Sequence, residues 1–585
     1  MNRDAAGAVR DEVAYDVCVV GLGPTGLVMA HLLALRGLTV LALEREPQYY
    51  GMARAVYTDD ECLRILQAAG LADELHADML VGLPVQWIRA DGRVLAHFHD
   101  PSRRNGWPTS NFLYQPAFES TLERRLAERP GVTIRRGRSV TSVEQDDDGV
   151  SVHHQECTGA GYGRRDAELV DGTSEVTRAS YLVAADGGRS GVRTQLGISM
   201  SGKSFPQRWL VVDLHAQQGV DAFGHLPYFD FICDPALPTV SCPQPGRRHR
   251  FEFMLQDTDD SADFESPARA RQLLARHLDP QDVVIDRQLV YTFNALVADR
   301  WRAGRIFLAG DAAHMTPQFI GQGMNAGLRD ADNLSWKIAD VILRQADPSL
   351  LDTYESERRP HAKSMIDISV FNKDIVSTAR PGAIRARDLG IGATMRVPGL
   401  RRVLTEAKLK PRPRFRRGSY FGMPRAPLGV EATLAPQPVV RTRAGGSARL
   451  DDATGSGWAA IGIGVDPRRV IDPLQWAPVQ PTWTRLLPAG GRPRSVTGRR
   501  EPDDPELIDL EAQDAMLAHW LRRASITTGD VVVLRPDHYV FAIVHAAPGG
   551  FPSRAGSRRA ASERTGARAV GLLHSRYPSN EKVSP

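Results

Sequence analysis

The chain has 585 residues, 42% apolar and 24% charged, the composition of a globular protein and far from the disordered or collagen-like regimes. A chain this long buries enough apolar surface to need no covalent staples. Its five cysteines form no CxxC pair, so a disulfide framework, a Cys-based zinc site or another metal centre is not expected, and a reducing, cytoplasmic setting is.

The net charge of +4 is unevenly placed. Residues 551–585 carry seven Lys/Arg against two Asp/Glu, leaving a nearly neutral body without the field that nucleic acid binding needs. That tail (Arg554, Arg558, Arg559, Arg564, Arg568) reads as a solvated, disordered extension, and residues 1–12 as a flexible N-terminus.

Residues 17–35 lack a formal charge, but Gly21, Gly23, Pro24, Thr25 and Gly26 interrupt them. A strand, a turn and a helix explain the stretch better than a membrane span, and the acids before it (Asp4, Asp11, Glu12) speak against a secretory signal. Tyr15–Val20 is the strand, GLGPTG the turn, and a helical pattern runs to Arg36. Residues 38–43 form a second strand that ends at Glu44. In this βαβ unit Gly21 permits the tight turn, Gly23 lets backbone approach a pyrophosphate, and Gly26 lets helix and strand close up. The helix start offers N–H groups to phosphates, and Glu44 can accept hydrogen bonds from ribose. The unit specifies an ADP moiety, not which dinucleotide carries it.

Residues 181–185 form a further strand, followed by DGGRSGVR from Asp186. Residues 305–309 are another, ending in Gly310-Asp-Ala-Ala-His314. A loop then leads to Gly321-Gln-Gly-Met-Asn325, which opens a long helix with Leu328, Ala331, Leu334, Ile338 and Val341 on one face. Taken together, GxGxxG…E, DGxxSxVR and GDAAHxxPxxxGQGMN resemble the single-component flavoprotein aromatic hydroxylases, relatives of para-hydroxybenzoate and phenol hydroxylases, over residues 15 to 375. Within that family the 3-(3-hydroxyphenyl)propionate hydroxylase type is most similar. Its marks here are Arg54-Ala-Val, Asp59-Asp-Glu, RWLVVD from Arg208, Cys233-Asp-Pro, Phe251-Glu-Phe, and LDTYE with ERRP after Leu351.

The resemblance implies FAD held by Gly21, Gly23, Pro24, Thr25, Gly26, Glu44 and Arg45. It implies Arg54 at the pyrophosphate, Gln115 beside the flavin, and Asp186 and Gly187 touching both flavin and nicotinamide. Asp311 would face the ribityl chain, with Pro317, Gly321, Gly323, Met324 and Asn325 along the flavin edge. Read alone, Asp186 and Asp311 are equally turn residues, Arg54 a solvated charge and Gln115 a surface amide. The N–H groups of residues 323–326, with the helix dipole, would stabilise a reduced, anionic flavin, and the Asn325 side chain could add a donor. His314 reads as a structural, hydrogen-bonded residue. One departure stands out: the resembling type has two prolines after GDAAH, whereas here Gln318 follows Pro317. Gln318 and Arg54 are therefore the candidates nearest the chemistry, and no proton-transfer residue is named.

Residues 209–214, 228–233, 250–255 and 289–293 alternate as short strands separated by turns, so an antiparallel sheet is expected. Period-two alternation puts Phe229 and Phe231 on one face and Tyr228 and Asp230 on the other. Tyr228, Phe231, Ser241, Arg250 and Phe253, with Gln318, are the substrate-pocket candidates, each of the sheet residues equally readable as ordinary packing. Arg250 is open to binding a substrate carboxylate or to a structural role.

A helix is expected to end before Pro360, and a helical, Pro/Arg-rich connector follows. Farther on, residues 459–465 and 530–534 read as strands with an amphipathic helix over 511–522 between them. The run from Val531 to Val540 resembles the thioredoxin-like C-terminal domain of phenol and polyketide hydroxylases. No cysteine follows Cys242, so thiol–disulfide chemistry is not expected there.

The expected architecture is thus α/β. A Rossmann-type FAD-binding domain (13–80, 108–200 and 285–375) carries an inserted antiparallel substrate sheet (81–107 and 201–284). A connector (376–417), a thioredoxin-like α/β domain (418–550) and the basic tail follow. The implied activity hydroxylates a small phenolic substrate ortho to its hydroxyl, using FAD, NADH or NADPH, and O2 through a flavin C4a-hydroperoxide. Three alternatives compete: tailoring oxygenation of an aromatic polyketide, a non-catalytic Rossmann-type carrier, and a flavin reductase. Neither a nucleic acid nor a membrane partner is expected; a homodimer is compatible.

Overall fold

The computed structural model describes residues 14–48, 54–158, 168–255, 266–406, 410–415, 429–443, 445–487 and 506–546. The expected flexible N-terminus, the basic tail and residues 407–409 and 416–417 of the connector lie outside the described residues.

Apolar runs without charge build a parallel core. Tyr15–Val20 pairs in parallel with Val40–Glu44 on one side and Glu175–Ala184 on the other. Val132–Arg136 and Ile306–Leu308 extend it in parallel at either end. The helix Pro24–Leu35 crosses this sheet with residues 26–33 buried, its proline at the start where a missing N–H costs nothing. Its other side packs against the helix Gly323–Leu343, which is buried along most of its length.

A second sheet has eight strands, running His314–Met315, Val283–Ala298, Met200–Ala216, Arg248–Met254, Thr239–Gln244, Phe229–Ile232, Val85–Ile88 and Val94–Phe98. Each of the four strands expected in this region is present. Val283–Ala298 is far longer than the expected 289–293, and it pairs with Met200–Ala216 almost throughout, so the sheet continues into sequence assigned above to the dinucleotide domain. One face, with Leu210, Val212, Phe251 and Phe253, is sealed by the helix Pro267–Leu274. The opposite face turns toward the first sheet's loops.

The expected helix end before Pro360 is not observed: Thr353–Val376 runs straight through it. A mid-helix proline costs about 3 kcal/mol. Here Tyr354, Glu357, Arg358, His361, Ala362, Met365 and Ile366 are all buried on both sides of it, and that burial outweighs the penalty. Helices Pro381–Arg396 and Pro398–Thr405 then lie against Val94–Phe98.

The C-terminal unit is a seven-stranded sheet. Leu507–Ala512, Thr482–Leu487 and Ala459–Ile463 are mutually parallel, and the hairpin Val531–Leu534/Val540–Val544 closes the sheet antiparallel to them. The expected helix over 511–522 is corrected. Residues 507–512 are a strand, and the helix is Ala515–Arg523, begun by Asp514, whose carboxylate accepts from the N–H groups of Met516 and Leu517. That cap sets the helix start four residues later than periodicity suggested. Among the described residues no helix is long and apolar enough to cross a membrane.

Candidate active site

The glycine loop is shaped by what a side chain would strike. Gly21 adopts φ +94, and a Cβ there would lie 2.5 Å from the Ala185 carbonyl oxygen. A Cβ on Gly26 would lie 1.9 Å from the Gly21 oxygen, whereas one on Gly23 would meet nothing within 4 Å. Contact is therefore forced at Gly21 and Gly26, and space is open at Gly23, where a diphosphate needs backbone access. The Glu44 carboxylate accepts from Leu22 N–H at 2.7 Å and from Glu46 N–H at 3.0 Å, so it is fixed beside the loop it would serve. Arg45, next in the chain, is half exposed and lies 3.6 Å from Glu46.

Across the cleft, Gln115 is buried. Its Oε1 accepts from the backbone N–H groups of Arg54 and Ala55 at 2.6 and 2.5 Å, and its amide donates to Glu119 at 2.7 Å. Both ends of the amide are engaged within the protein, so Gln115 shapes the Arg54 loop. The guanidinium of Arg54 stands 3.8 Å from Asp311, both side chains about half exposed. Asp311 sits in a turn organised from behind. Asp330 accepts from Gly310 N–H at 3.1 Å and pairs with His314 at 2.6 Å and Arg358 at 2.9 Å. Burial opposes the charge on Asp330, but His314 and Arg358 hold its carboxyl below the usual range. His314 is fully buried, in the structural position read from sequence.

Asp186 accepts from Val192 N–H at 3.3 Å, while its second oxygen is buried without a partner, and burial raises its carboxyl above the ordinary value. Gly187 follows at φ +82 with open space above it. Arg193 ties this turn to the Asp311 turn, donating to the carbonyls of Gly188 and Ala312 at 2.9 and 3.1 Å.

The Gly323–Leu343 helix starts after Gly321, which is left-handed at φ +61 and packed on Tyr57. Two expectations are corrected here. The Ala326 N–H closes the first helical turn onto the Gln322 carbonyl at 2.9 Å, so the N–H groups without an intrahelical partner are those of Gly323, Met324 and Asn325. The Asn325 side chain is not a free donor. Its amide nitrogen donates to the carbonyls of Gly321 and Tyr57 at 2.7 and 3.3 Å, and its oxygen accepts from Thr58 at 2.9 Å. Gln322 is likewise held, by Asp59 and Arg329 at 3.2 and 3.0 Å. Side chains thus fix the helix start, and its backbone faces outward.

Strand register sorts the sheet candidates. Arg250 lies opposite Asp213 and Cys242, Glu252 opposite Val211 and Val240, and Trp209 opposite Tyr291 and Met254. Phe231 lies opposite Val240, so all of these share the face toward the dinucleotide loops. Ser241 and Phe253 fall on the opposite face. Ser241 bonds His249 at 2.8 Å and Phe253 packs in the core under Pro267–Leu274, so neither joins the pocket. Tyr228 is 37% exposed against His97, at the sheet's rim. Arg250 is on the right face, but its guanidinium grips Asp213 at 2.6 and 3.1 Å and donates to the Arg54 carbonyl at 2.6 Å. That resolves the open choice for Arg250 in favour of structure: it suspends the Arg54 loop from the sheet. At the other end of the face Tyr291 donates to Gln318 Oε1 at 2.9 Å, leaving the buried Gln318 Nε2 without a partner. Pro317 beside it accepts from Ser369 at 2.6 Å, and Phe319 packs edge-on against Trp209, with ring centroids 5.3 Å apart.

This open glycine cradle, the backbone-lined helix start and the two buried, unpartnered polar atoms fit a bound FAD. The comparisons agree. A family model described as FAD binding domain matches residues 14–369, and one described as HcaD C-terminal domain matches 432–555. The chain belongs to the FAD-dependent aromatic hydroxylases. The hydroxylase is 36% identical over 538 residues to a 3-(3-hydroxyphenyl)propionate/3-hydroxycinnamic acid hydroxylase of Burkholderia cenocepacia, covering 91% of this chain and 94% of that one. It is 37% identical to a second such hydroxylase, of Burkholderia vietnamiensis, with 90% and 93% covered. Among solved structures it shares a fold with aklavinone-11 hydroxylase in complex with FAD and aklavinone, at TM-score 0.73 and 23% identity over 96% of this chain and all (100%) of that one. It does so too with the flavin-dependent monooxygenase PieE in complex with FAD and substrate, at TM-score 0.74 and 20% identity over 96% and 99%. The hydroxylase is an FAD-dependent monooxygenase, a class whose typical co-substrates are NAD(P)H and O2.

Sequence reading missed Tyr291, Trp209, Glu252 and the Asp59–Arg329–Gln322 brace. Tyr291 and Glu252 lay inside expected strands, and alternation put each on a definite side. What alternation lacks is the side that faces the cofactor. Arg250 reaching the Arg54 carbonyl decides it, a contact 196 residues apart in sequence.

Proposed function

We propose that this enzyme hydroxylates a phenolic compound of the 3-(3-hydroxyphenyl)propionate kind, ortho to its hydroxyl. NAD(P)H, a proton, O2 and the arene are consumed, and NAD(P)+, water and the hydroxylated ring are formed. The observation that carries this reading is the face bearing Trp209, Phe231, Glu252 and Tyr291, pinned by Arg250 at one end and Gln318 at the other to the loops that would hold FAD. The substrate ring would lie between that face and the Gly323 helix start.

FAD supplies the electron transfer and oxygen activation when bound. The chain's own contributions are positional and electrostatic. Gly23, Pro24, Thr25 and the following helix start would take the diphosphate, Glu44 a ribose, and Arg54 and Asp311 the linking chain. The N–H groups of Gly323, Met324 and Asn325, aligned with the helix dipole, would stabilise negative charge on the pyrimidine edge. The aromatic cluster Trp209, Phe231, Phe293 and Phe319 excludes water from the ring's far side. The strand order of the C-terminal unit supports a thioredoxin-like fold, here without cysteine and so serving as a structural module.

The test is oxygen uptake by FAD-loaded protein with NADH or NADPH over a panel of phenols, with product mass read out. A substrate-stimulated rate and a gain of one oxygen atom are expected with hydroxyphenylpropanoids. A rate seen only with polycyclic quinones would favour the tailoring alternative, and no stimulated uptake with any member would remove the proposal.

A further inference from the structure

The polar row on the cofactor-facing sheet face contains a buried carboxylate that the structure leaves without a hydrogen bond. Arg250 is consumed by Asp213 and the Arg54 carbonyl, and Tyr291 by Gln318. Glu252 lies in the row between them on the same face, opposite Val211 and Val240. Its side chain is buried, 6% exposed, and its nearest cation is the Arg250 guanidinium at 3.9 Å, beyond hydrogen-bond reach. Among the described residues its carboxylate accepts no hydrogen bond. Buried carboxylates are normally paired, and those that are not cluster at functional sites.

We propose that Glu252 is the catalytic base of this hydroxylase, accepting the hydrogen bond of the substrate's phenolic hydroxyl and taking its proton as the ring is activated. The inference rests on the function proposed above. The phenol O–H bond breaks, its electron pair stays on oxygen, and the proton passes to a Glu252 oxygen. The phenolate so formed is the electron-rich ring that an electrophilic oxygen attacks at the ortho carbon. Proton return from Glu252 restores the hydroxyl.

The groups facing Glu252 suit that exchange. Arg250 stands on its own strand, Asp213 on the Met200–Ala216 strand, Arg287 and Tyr291 on the Val283–Ala298 strand, and the buried Cys242 thiol on the Thr239–Gln244 strand. Burial pushes the Glu252 carboxyl up and Asp213 adds to the rise, while Arg250 and Arg287 pull it down, with a balance at about 7. A base poised there exchanges a proton near neutral pH in either direction.

The experiment uses FAD-loaded wild type, Glu252→Gln and Glu252→Asp with 3-(3-hydroxyphenyl)propionate and NAD(P)H. Substrate affinity is read separately, from the perturbation of the flavin spectrum. Glutamine keeps an acceptor but cannot take a proton. Glu252→Gln should therefore leave the dissociation constant within about threefold and lower kcat by about 100-fold or more. The wild-type rate should fall below pH 7, and that acid limb should vanish in Glu252→Gln and move in Glu252→Asp. A Glu252→Gln enzyme with kcat within threefold of wild type, or with the acid limb unchanged, overturns the inference while the proposed function stands. If Glu252→Gln does not hold FAD, an unmoved limb in Glu252→Asp overturns it instead. Wild type without stimulated oxygen uptake removes the function and this inference with it.

Discussion

A carboxyl whose folded state favours the protonated form leaves a trace in stability as well as in rate. Glu252 sits near 7 in the fold against an ordinary 4.5, so the folded protein binds its proton more tightly than the unfolded chain does. The contribution is then intact below pH 4.5, is lost as pH rises toward 7, and stays lost above it. Glu252→Gln removes the titration while keeping the shape. It should be nearly neutral near pH 4.5 and stabilising at pH 8, by about 3 kcal/mol on the size of the shift. Thermal melts of both proteins at the two pH values check this, and a pH-independent difference would contradict it. The outcome also separates lost catalysis from lost folding, since the variant expected to be slow is expected to be the more stable one at pH 8. At this scale the sequence was informative wherever backbone sterics decide. The roles of Gly21, Gly23 and Gly26 follow from their spacing, and the coordinates give each the contact or the opening that its role requires. Side-chain roles were less legible. Gln115 and Asn325 are amides of the kind that reach ligands, yet both are spent within the protein, on backbone and neighbouring side chains, and only three-dimensional neighbours reveal that.

Between elements, the seam of the Pro24–Leu35 and Gly323–Leu343 helices sets where the cofactor-facing ends of both helices sit. Thr25 is wedged at its top. A Cβ on Gly327 would lie 2.0 Å from Thr25 Oγ1, and one on Gly310 2.7 Å from the same atom. Gly327→Ala should therefore push the helices apart at the end where both N-termini would face the dinucleotide. The expected cost is about 1–3 kcal/mol, the usual range for overpacking, with weaker FAD retention. Thr25→Ala in the same protein removes the struck oxygen and should recover most of that loss. A double-mutant cycle on melting temperature and FAD dissociation measures the coupling, and additive effects would contradict the wedge. Periodicity located both helices but could not show this contact. Elsewhere it was overruled by tertiary structure, at Pro360, where burial carries a helix through a breaker, and at residues 511 and 512, where ladder pairing makes the end of a strand of positions expected to open a helix.

Across the whole molecule, the C-terminal unit is joined to the dinucleotide unit by a buried charge network beside the packing of Trp336 on Trp458, without a disulfide. Arg535 enters from the turn after Val531–Leu534 and is fully buried. It holds both oxygens of Glu357 at 2.8 and 2.9 Å and bonds Asp537, while Lys337 reaches Glu357 at 2.8 Å. Burial opposes the charge on Glu357, yet Arg535 and Lys337 draw its carboxyl down to about 2. Trp336 Nε1 and Asn333 donate to Asp537 from the Gly323–Leu343 helix at 3.1 and 3.2 Å. Glu357 is followed by Arg358, which braces Asp330 and, through it, the Gly310–Asp311 turn at the cofactor cleft. The network thus reaches from the C-terminal unit to the Gly310–Asp311 turn, the proposed floor of the flavin site. Removing the central cation deprives two buried carboxylates of the guanidinium they share, so Arg535→Ala should cost about 3–5 kcal/mol. Arg535→Lys should recover little, because an ammonium cannot fork to Glu357 and Asp537 together. If the C-terminal unit braces the site, the FAD dissociation constant should rise in step with the fall in melting temperature. A large thermal loss with unchanged FAD affinity would instead make the unit a bystander to the chemistry.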